Sequence, residues 1–531
     1  MTPQTLGLML DCSRNGVMKP EKVKEFARMM ADMGYNMLQL YTETTYEVED
    51  EPFFGYMRGR YTVEELQDID AYCQSIGIEL IPCIQTLAHF EHLTRFECYE
   101  PYFDCTNILL IGDEKVYELI DKMFAACAKA FSSRRIHIGM DEAHFVGLGK
   151  YLDQHGFQNR NDIMLEHLRR VKEIADRYGF RPMMWADMFM RLNNGGDPYP
   201  EHPIIPQETI DGVPEGIELV YWDYYSADKK RYDTQLDAYA KFPNKTAFAG
   251  GIWTWVGFVP CSEFSLAGSE AAMRSVHEHD VDTVMFTLWG DDGKECSFWS
   301  VLPAIFAAAQ FAKGNFDRAD IAARFEAYTG YTFDEFMALG AANEIADPPT
   351  ERKNPAKYLL YNDPFIGLLD KNTPPHAAEQ YAALAERIAS SINGRPYDYV
   401  FDVIQKLCAA LSIKADLGIR IRTAYAADDR ASLEAIATQE IPTLIARVES
   451  LYAAVERMWY TENKGFGFEI QEARFGALLQ RLKGCAARLR AYLCGELSAI
   501  DELEAEPLRL LEKTDGETTM YHLWQQIISP C

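Results

Sequence analysis

The sequence predicts a (β/α)8 TIM barrel followed by a C-terminal α-helical domain. Eight short apolar runs alternate with amphipathic helical patterns in the first part of the chain, as parallel βα units require. Later periodicity is purely helical, with apolar residues three and four positions apart. The chain has 531 residues, which exceeds the roughly 250 residues of a typical barrel, so we expect a second domain.

The eight apolar runs have strand length, and long polar or helical segments separate them. A closed barrel needs eight parallel strands with a helix after each. The predicted strands are Leu6–Asp11, Asn36–Tyr41, Ile78–Gln85, Arg135–Gly139, Pro182–Ala186, Glu218–Trp222, Thr246–Gly250 and Thr283–Trp289. Predicted helices between or after them include Pro20–Met33, Val63–Ile76, Glu114–Ala130, Asp162–Tyr178 and Phe298–Lys313.

A proline-rich and charged stretch at residues 346–355 marks the expected domain boundary. Residues 1–345 would form the barrel and residues 346–531 the helical domain. In the second part, long helical patterns favour an antiparallel bundle. They cover Ala377–Ile392, Tyr397–Gly418, Ala431–Met458 and Gln471–Glu504.

The composition excludes several classes of function. A net charge of −28 argues against binding to nucleic acid or to anionic membranes, because both require basic surfaces. The N-terminal region lacks a secretory or membrane-spanning pattern, so we expect a cytoplasmic protein. The 12 cysteines follow no zinc-binding spacing, and no metal or cofactor is expected. The expected partners are a small-molecule substrate and a second copy in a homodimer.

The most informative segment places two adjacent acids, Asp141 and Glu142, directly after a short apolar strand. In a parallel barrel the chemistry lies at the carboxyl ends of the strands. The alternative reading is that Asp141 caps a helix and Glu142 lies in its first turn. Considered alone, this segment does not decide between the two.

Polar and aromatic side chains at the other strand ends favour the catalytic reading. Five of the eight tryptophans fall there, and flat rings that stack on a sugar, beside acids and an arginine that bind hydroxyls, are typical of a carbohydrate pocket. Core packing is the alternative for Trp222, Trp253 and Trp255. The strand-end residues are Arg14, Glu43, His89, His92, Trp185, Asp187, Tyr221, Trp222, Asp223, Trp253, Trp255, Trp289, Asp291 and Asp292.

Over roughly residues 5–315 the chain resembles glycoside hydrolase family 20, the β-N-acetylhexosaminidases. The segment His137-x-Gly139-x-Asp141-Glu142 is similar to the family motif H-x-G-G-D-E, with Met140 at the second glycine. The segment from Pro82 to His89 keeps the proline and histidine of P-E-I-D-x-P-G-H but loses both acids. Asp11-x-x-Arg14 and Trp289-Gly290-Asp291 match two further motifs, the second with Asp in place of Glu.

The resemblance implies that the 2-acetamido group of the substrate is the nucleophile. Glu142 would then be the general acid and base, and Asp141 would orient the acetamido N–H. Tyr221 would hold the acetamido carbonyl oxygen. The implied substrate-binding residues are Arg14, His89, His137, Trp185, Asp223, Trp253, Trp289 and Asp291, with Glu43, Trp222, Trp255, Asp292 and Glu295 as further candidates.

Two other functions remain open from the sequence. A retaining β-glycosidase with a protein nucleophile would need a second carboxylate about 5 Å from Glu142, and Asp223 or Asp291 are the candidates. A glycan-binding barrel without activity would keep the tryptophans and Arg14 but would need neither Asp141 nor Glu142. The sequence does not distinguish N-acetylglucosamine (GlcNAc) from N-acetylgalactosamine (GalNAc) as the preferred sugar.

Overall fold

The computed structural model describes residues 2–345, 352–511 and 515–530. Its first part is a closed barrel of eight parallel strands, in which the last strand pairs with the first. The predicted barrel is therefore confirmed. The barrel strands are Thr5–Asp11, Met37–Tyr41, Glu79–Cys83, Arg135–His137, Arg181–Trp185, Glu218–Trp222, Thr246–Gly251 and Thr283–Leu288.

Local sequence signals explain where the first helices begin and end. Pro20 opens the helix Pro20–Met33, and Gly34 ends it with φ 100°, a left-handed conformation that costs glycine little. Thr62 caps the helix Val63–Ser75, and its hydroxyl and the Glu65 carboxylate each bond the other's backbone N–H. These caps fix the helix ends and hence the lengths of the loops that follow the strands.

The third and fourth strands end two residues earlier than predicted. The third ends at Cys83 rather than Gln85, and the fourth at His137 rather than Gly139. In the fourth, Gly139 has φ 69°, which is incompatible with an extended strand. Both differences occur where the chain leaves the sheet towards the predicted catalytic residues.

The long connection after the third strand contains a short antiparallel hairpin, Phe103–Cys105 paired with Ile108–Leu109, which the sequence did not predict. The helices that follow the barrel strands are mostly amphipathic and bury one face. From the first strand to the last, they are Pro20–Met33, Val63–Ser75, Glu114–Ala130, Lys150–His155, Arg160–Arg177, Asp187–Arg191, Gln207–Gly212, Lys229–Tyr239 and Ser262–Glu278.

The chain divides into two compact units. The first comprises the residues up to Ile252 with Ala267–Leu288 and Phe306–Phe316, and the second comprises Trp253–Leu266, Trp289–Ile305 and the chain from Asp317 onwards. The predicted boundary stretch at 346–355 lies mostly outside the described residues. The division at residue 345 therefore stays a prediction.

The second unit is helical. Its long helix Asp398–Lys414 buries a row of apolar residues. At the end of this helix the buried Lys414 ammonium donates to the carbonyls of Leu359 and Asn362 at 3.0 and 2.6 Å. Helices after the last barrel strand are Leu302–Ala312, Arg318–Thr329, Phe333–Gly340, Pro355–Tyr361, Ala377–Ala389, Asp398–Lys414, Leu417–Ala426, Arg430–Ala435, Ile441–Glu462, Phe468–Leu493, Asp501–Glu504 and Trp524–Ile528. None of the described helices is both long and apolar enough to cross a lipid bilayer.

Candidate active site

The site is organised by the backbone that follows the fourth strand. Gly139, Met140 and Glu142 all have left-handed φ values, of 69°, 74° and 52°. A Cβ on Gly139 would lie 2.0 Å from the Gln85 side-chain oxygen, so no larger residue fits there without movement of Gln85. The left-handed turn replaces the alternation of a strand, which would send Asp141 and Glu142 to opposite faces.

Met140 occupies the position of the second glycine in the motif that the chain resembles. Its φ of 74° explains why glycine suits this position, since a left-handed non-glycine residue costs about 1–3 kcal/mol. The Met140 side chain is fully buried, and its backbone N–H donates to Gln85 Oε1 at 3.2 Å. Packing and this hydrogen bond therefore offset the strain.

The Asp141 carboxylate is held in the ionised form. Oδ1 accepts from Gln85 Nε2 at 2.8 Å, and Oδ2 lies 3.1 Å from His89 Nε2. Burial alone would raise the pKa of Asp141, but the His89 charge and these hydrogen bonds lower it below its usual value. Burial is the largest single influence on His89 and lowers its pKa, but the charge of Asp141, the hydrogen bond to Asp141 and the charge of Glu43 together raise that pKa to about 9, so His89 and Asp141 form an ion pair.

Glu142 has the opposite electrostatic surroundings. Burial and the charges of Asp141 and Asp187 raise its pKa to about 7, although His89 and Arg191 lower it. Its Oε1 lies 3.5 Å from Arg191 Nη2, and its Oε2 lies 4.0 Å from His89 Nε2. The side chain is 39% exposed. Glu142 can therefore carry a proton near neutral pH while still reaching solvent or a ligand.

Arg14 lies in a network of polar side chains from the first three strand ends. Its guanidinium approaches Asp11 Oδ2 at 3.3 Å and Glu43 Oε1 at 3.1 Å. The Tyr41 hydroxyl donates to Glu43 Oε1 at 3.2 Å and accepts from Gln85 Nε2 at 2.9 Å. Because Gln85 also donates to Asp141, the network links the predicted sugar-binding arginine to the predicted catalytic pair.

Tyr221, at the end of the sixth strand, is bonded to Asp223. Its hydroxyl donates to Asp223 Oδ2 at 3.2 Å. Arg231 donates two hydrogen bonds to the same carboxylate, from Nε at 2.6 Å and from Nη2 at 3.1 Å. The Tyr225 backbone N–H adds a bond to Oδ1 at 2.9 Å. These four hydrogen bonds use the full accepting capacity of a carboxylate. They therefore argue against the predicted contact of Asp223 with substrate and against Asp223 as a nucleophile.

Two tryptophans of the first unit have different surroundings. Trp185 is buried and packs on His137, with ring centroids 4.2 Å apart. Burial lowers the pKa of His137 to about 3, so this histidine is neutral and its Nδ1 accepts from the Gly139 N–H at 3.1 Å. Trp222 donates from Nε1 to Asp187 Oδ1 at 3.2 Å. His137 and Trp222 thus support neighbouring groups of the site.

The remaining predicted tryptophans belong to the second unit. Trp253 stacks on Trp255 at a centroid distance of 4.1 Å and an interplanar angle of 23°. The Trp289 carbonyl accepts from the Thr254 hydroxyl at 2.7 Å. All three indoles are buried. Their predicted contact with a sugar, together with that of Asp291 in the same unit, stays a prediction.

Asp292 and Glu295 form a buried ionic cluster within the second unit. Lys357 Nζ approaches their carboxylates at 2.6 and 3.1 Å, and Arg474 does so at 2.9 and 2.6 Å. Asp292 also accepts from the Trp524 backbone N–H. Both acids thus have two cationic partners. This arrangement favours a structural role over the predicted contact with sugar hydroxyls.

Three ligand atoms of the site lie close enough together to hold a metal ion. One atom each from His89, Asp141 and Glu142 falls within 4.8 Å of the others. However, His89 uses Nε2 to bond Asp141, and a protonated imidazole cannot bind a metal. The donor set fits a hydrogen-bonded triad better than a metal centre.

Gln85 and Arg191 contact the catalytic pair but were not among the predicted site residues, and Asp187 was predicted only as a polar residue at the end of the fifth strand. Asp187 accepts from Arg191 Nε at 2.9 Å and from the Glu142 backbone N–H at 3.3 Å. The spacing of Asp187 and Arg191 by four residues on one short helix is a sequence signal for this pair. Gln85 lies at the aspartate position of the motif P-E-I-D-x-P-G-H, and this position was its sequence signal.

Family models match two segments of the chain. Residues 6–231 match the glycosyl hydrolase family 20 catalytic domain, and residues 334–522 match the glycoside hydrolase 20C C-terminal domain. The chain belongs to glycoside hydrolase family 20. The family 20 catalytic match includes Arg14, Asp141, Glu142 and Tyr221. The predicted site residues from Trp253 to Glu295 lie between the two matched segments.

Two curated relatives of this family 20 chain are named hexosaminidase D. The protein from Bos taurus is 26% identical over 226 residues, which cover 39% of this chain and 60% of that protein. The protein from Homo sapiens is 26% identical over 223 residues, which cover 39% of this chain and 42% of that protein. The match thus spans less than two thirds of either relative.

Solved structures of family 20 proteins show low sequence identity to this chain. The chitobiase of Flavobacterium johnsoniae is 16% identical, with a TM-score of 0.48 over 94% of this chain and 74% of that chain. The β-N-acetylhexosaminidase of Bacteroides fragilis is 18% identical, with a TM-score of 0.45 over 58% of this chain and 65% of that chain.

Proposed function

We propose that the protein is an exo-β-N-acetylhexosaminidase that removes terminal, non-reducing β-linked GlcNAc or GalNAc with retention of configuration. The observation that carries the proposal is the difference between two adjacent acids. Asp141 has a lowered pKa, and Glu142 has a pKa raised to about 7. A pair whose pKa values are pushed apart in this way can supply one proton donor and one anion at the same pH.

In the proposed mechanism the substrate provides its own nucleophile. The acetamido oxygen attacks the anomeric carbon while Glu142 protonates the departing glycosidic oxygen, which yields an oxazolinium intermediate and a free alcohol. Water then attacks the anomeric carbon, and Glu142 takes the proton of that water. Asp141 accepts a hydrogen bond from the acetamido N–H throughout and stabilises the positive charge.

The other proposed roles are those that the resemblance to family 20 implies. Arg14 and Glu43 would bind hydroxyls remote from the anomeric carbon. Tyr221 would donate to the acetamido oxygen, for which its hydroxyl would turn from Asp223. Trp185, Trp253 and Trp289 would enclose the acetamido methyl group and the sugar ring. Asp291 would bind the same remote hydroxyls as Arg14.

We also propose a cytoplasmic location and a homodimer. The cysteines that the structure describes are thiols, most of them buried, which suits a reducing compartment. Fractionation of the native host cell tests the location, and light scattering on the purified protein tests the homodimer. The proposed small-molecule partner is the glycan substrate. The net charge of −28 does not support nucleic acid or an anionic membrane as a further partner.

A parallel assay with aryl β-GlcNAc, β-GalNAc, β-glucoside and β-galactoside tests the function. We expect turnover of the first two sugars and almost none of the others, because only the first two carry the acetamido nucleophile. Brisk hydrolysis of the β-glucoside would instead favour a protein nucleophile. Binding of all four sugars without any turnover would favour a lectin-like barrel.

A further inference from the structure

A cavity of about 560 Å³ opens beside Glu142, on barrel loops of the first unit. Its size lies in the range of roughly 300–1,000 Å³ that holds small ligands. The hairpin after the third strand and the loop after the fourth strand supply its walls. Residues lining it include Glu142, Phe145, His144, Asn107, Glu91 and Thr94.

We propose that this cavity is the subsite for the leaving group and that it takes a neutral or cationic sugar stacked on Phe145. The assignment rests on the proposed function, in which Glu142 protonates the glycosidic oxygen. A proton donor must lie within hydrogen-bond reach of the oxygen that it protonates. The residue attached to that oxygen therefore lies beside Glu142, and this cavity is the space there.

Phe145 has the properties of a stacking platform. Its side chain is 55% exposed, although large apolar side chains are usually buried, and no other aromatic ring of the described residues packs on it. An exposed aromatic ring at the edge of a cavity can cover the apolar face of a sugar.

The backbone around Phe145 is fixed in place. The carbonyls of His144 and Val146 both accept from the Arg160 guanidinium, the second at 3.1 Å. The Phe145 carbonyl accepts from Leu148 N–H at 3.0 Å and from the Cys105 thiol at 3.4 Å. Because these bonds hold the loop before any ligand arrives, a sugar would bind Phe145 without ordering it first.

The charge of the lining predicts which leaving groups are accepted. Glu91 and Glu142 line the cavity, and no lysine or arginine is among its lining residues in the described part of the chain. His89 is already paired with Asp141, and burial lowers the pKa of His144. Since Glu142 is protonated in the reacting form, an anionic leaving group would meet the Glu91 carboxylate without a compensating cation in the lining. Asn107 donates to Glu91, and its amide oxygen accepts from the Thr106 hydroxyl at 3.3 Å.

The first test compares Phe145→Ala with wild type on two β-GlcNAc substrates. One substrate carries glucose as its leaving group, and the other carries azide, which is too small to reach Phe145. We expect kcat/KM on the disaccharide to fall about tenfold and that on the azide to change less than twofold. Phe157→Ala, which alters a ring that is 75% exposed and absent from the lining, is the matched control and should change neither.

The second test replaces the glucose leaving group by glucuronic acid. We expect wild type to prefer glucose about tenfold, and Glu91→Gln to reduce that preference. Equal losses on both substrates in Phe145→Ala, or no preference for the neutral sugar, would overturn the subsite. A wild-type protein that cleaves neither the disaccharide nor the azide would overturn the proposed function itself, and the subsite with it.

Discussion

Asp141 and Glu142 are neighbours in sequence but differ in protonation because their contacts differ. Asp141 has His89 and Gln85 as donors at 3.1 and 2.8 Å. Glu142 has longer contacts, with Arg191 at 3.5 Å and with His89 at 4.0 Å, and it lies near the charges of Asp141 and Asp187. The arrangement suits one side chain to stabilise positive charge and the other to transfer a proton.

The pH dependence of kcat/KM should report the pKa of Glu142. The reaction needs its protonated form, so we expect kcat/KM to fall about tenfold per pH unit above pH 7, where that form is lost. Asp187→Asn removes a negative charge that raises this pKa, and the alkaline limb should therefore move to lower pH. A pH profile of both proteins on the same aryl substrate measures the shift. An unmoved limb would show that another group controls it.

Glu142→Gln should affect substrates in proportion to their need for a proton. We expect loss of roughly 10³-fold on a disaccharide, since general acid catalysis contributes about 10²–10⁴-fold. Activated aryl glycosides should lose much less in the step that forms the intermediate, because their leaving groups depart as anions. Pre-steady-state rates on both substrates measure this step. Equal loss on both would contradict the acid role.

At the residue scale, the sequence predicted the chemistry better than the contacts. The pairing of Asp141 with Glu142 was visible as a motif. The hydrogen bonds from Arg231 to Asp223 were not visible, because Arg231 lies eight positions further along the chain, on the helix Lys229–Tyr239. Asp292 and Glu295 were further pocket candidates because Asp291 is one methylene shorter than the glutamate of the family motif. Their cationic partners Lys357 and Arg474 are distant in sequence, and no local pattern reveals such pairs.

At the level of elements, the turn after the fourth strand is the most strained part of the site. Gly139, Met140 and Glu142 have positive φ, and the strand itself has only three residues. Strain of this kind persists only where the surrounding structure imposes it. Here the Gln85 side chain bonds both the Met140 backbone and the Asp141 carboxylate, so the turn and the catalytic acid are fixed by the same group.

Substitution of Met140 should separate strain from packing. Met140→Ala removes a buried side chain and keeps the strain, and we expect a loss of about 2–5 kcal/mol in stability. Met140→Gly removes the same side chain but relieves the left-handed conformation, so it should be more stable than the alanine variant by about 1 kcal/mol. Thermal unfolding temperatures of the two variants check the order. A higher Tm for Met140→Ala than for Met140→Gly would contradict the inference that the backbone at position 140 is strained.

Periodicity predicted the elements well and their ends less well. All eight barrel strands were located, and the helices Pro20–Met33 and Glu114–Ala130 have the predicted bounds. Errors fell where backbone conformation is set by tertiary contacts, as at the end of the third strand, where Gln85 turns towards Asp141. The hairpin at Phe103–Leu109 was missed because its strands have only three and two residues.

At the scale of the whole molecule, the second unit is built from segments that are distant in sequence. The stretch Trp289–Ile305 follows a barrel strand and belongs to this unit, and its acids Asp292 and Glu295 are neutralised by Lys357 and Arg474. Since charges that lose their partner inside a protein are costly, we expect the helices that carry these cations to stabilise that stretch.

Arg474→Met should therefore destabilise the full-length protein strongly. Arg474 is 7% exposed and contacts both acids, and breaking a buried ion pair costs about 3–5 kcal/mol. Arg324→Met is the matched control, because Arg324 and its partner Asp320 are 61% and 40% exposed and such pairs contribute about 0–1 kcal/mol. Differential scanning fluorimetry compares the two. Similar Tm values would show that the cluster is not needed for stability.

The hydrogen bonds of Gln85 have a consequence for how this chain diverged from its relatives. The motif that it resembles has an aspartate at this position, which can accept hydrogen bonds but cannot donate them when ionised. Gln85 donates to Asp141 and to Tyr41 and accepts from Met140. Reversion to aspartate would place a second carboxylate beside Asp141, so we expect residues 41, 85 and 140 to co-vary among relatives that keep the acid at position 141.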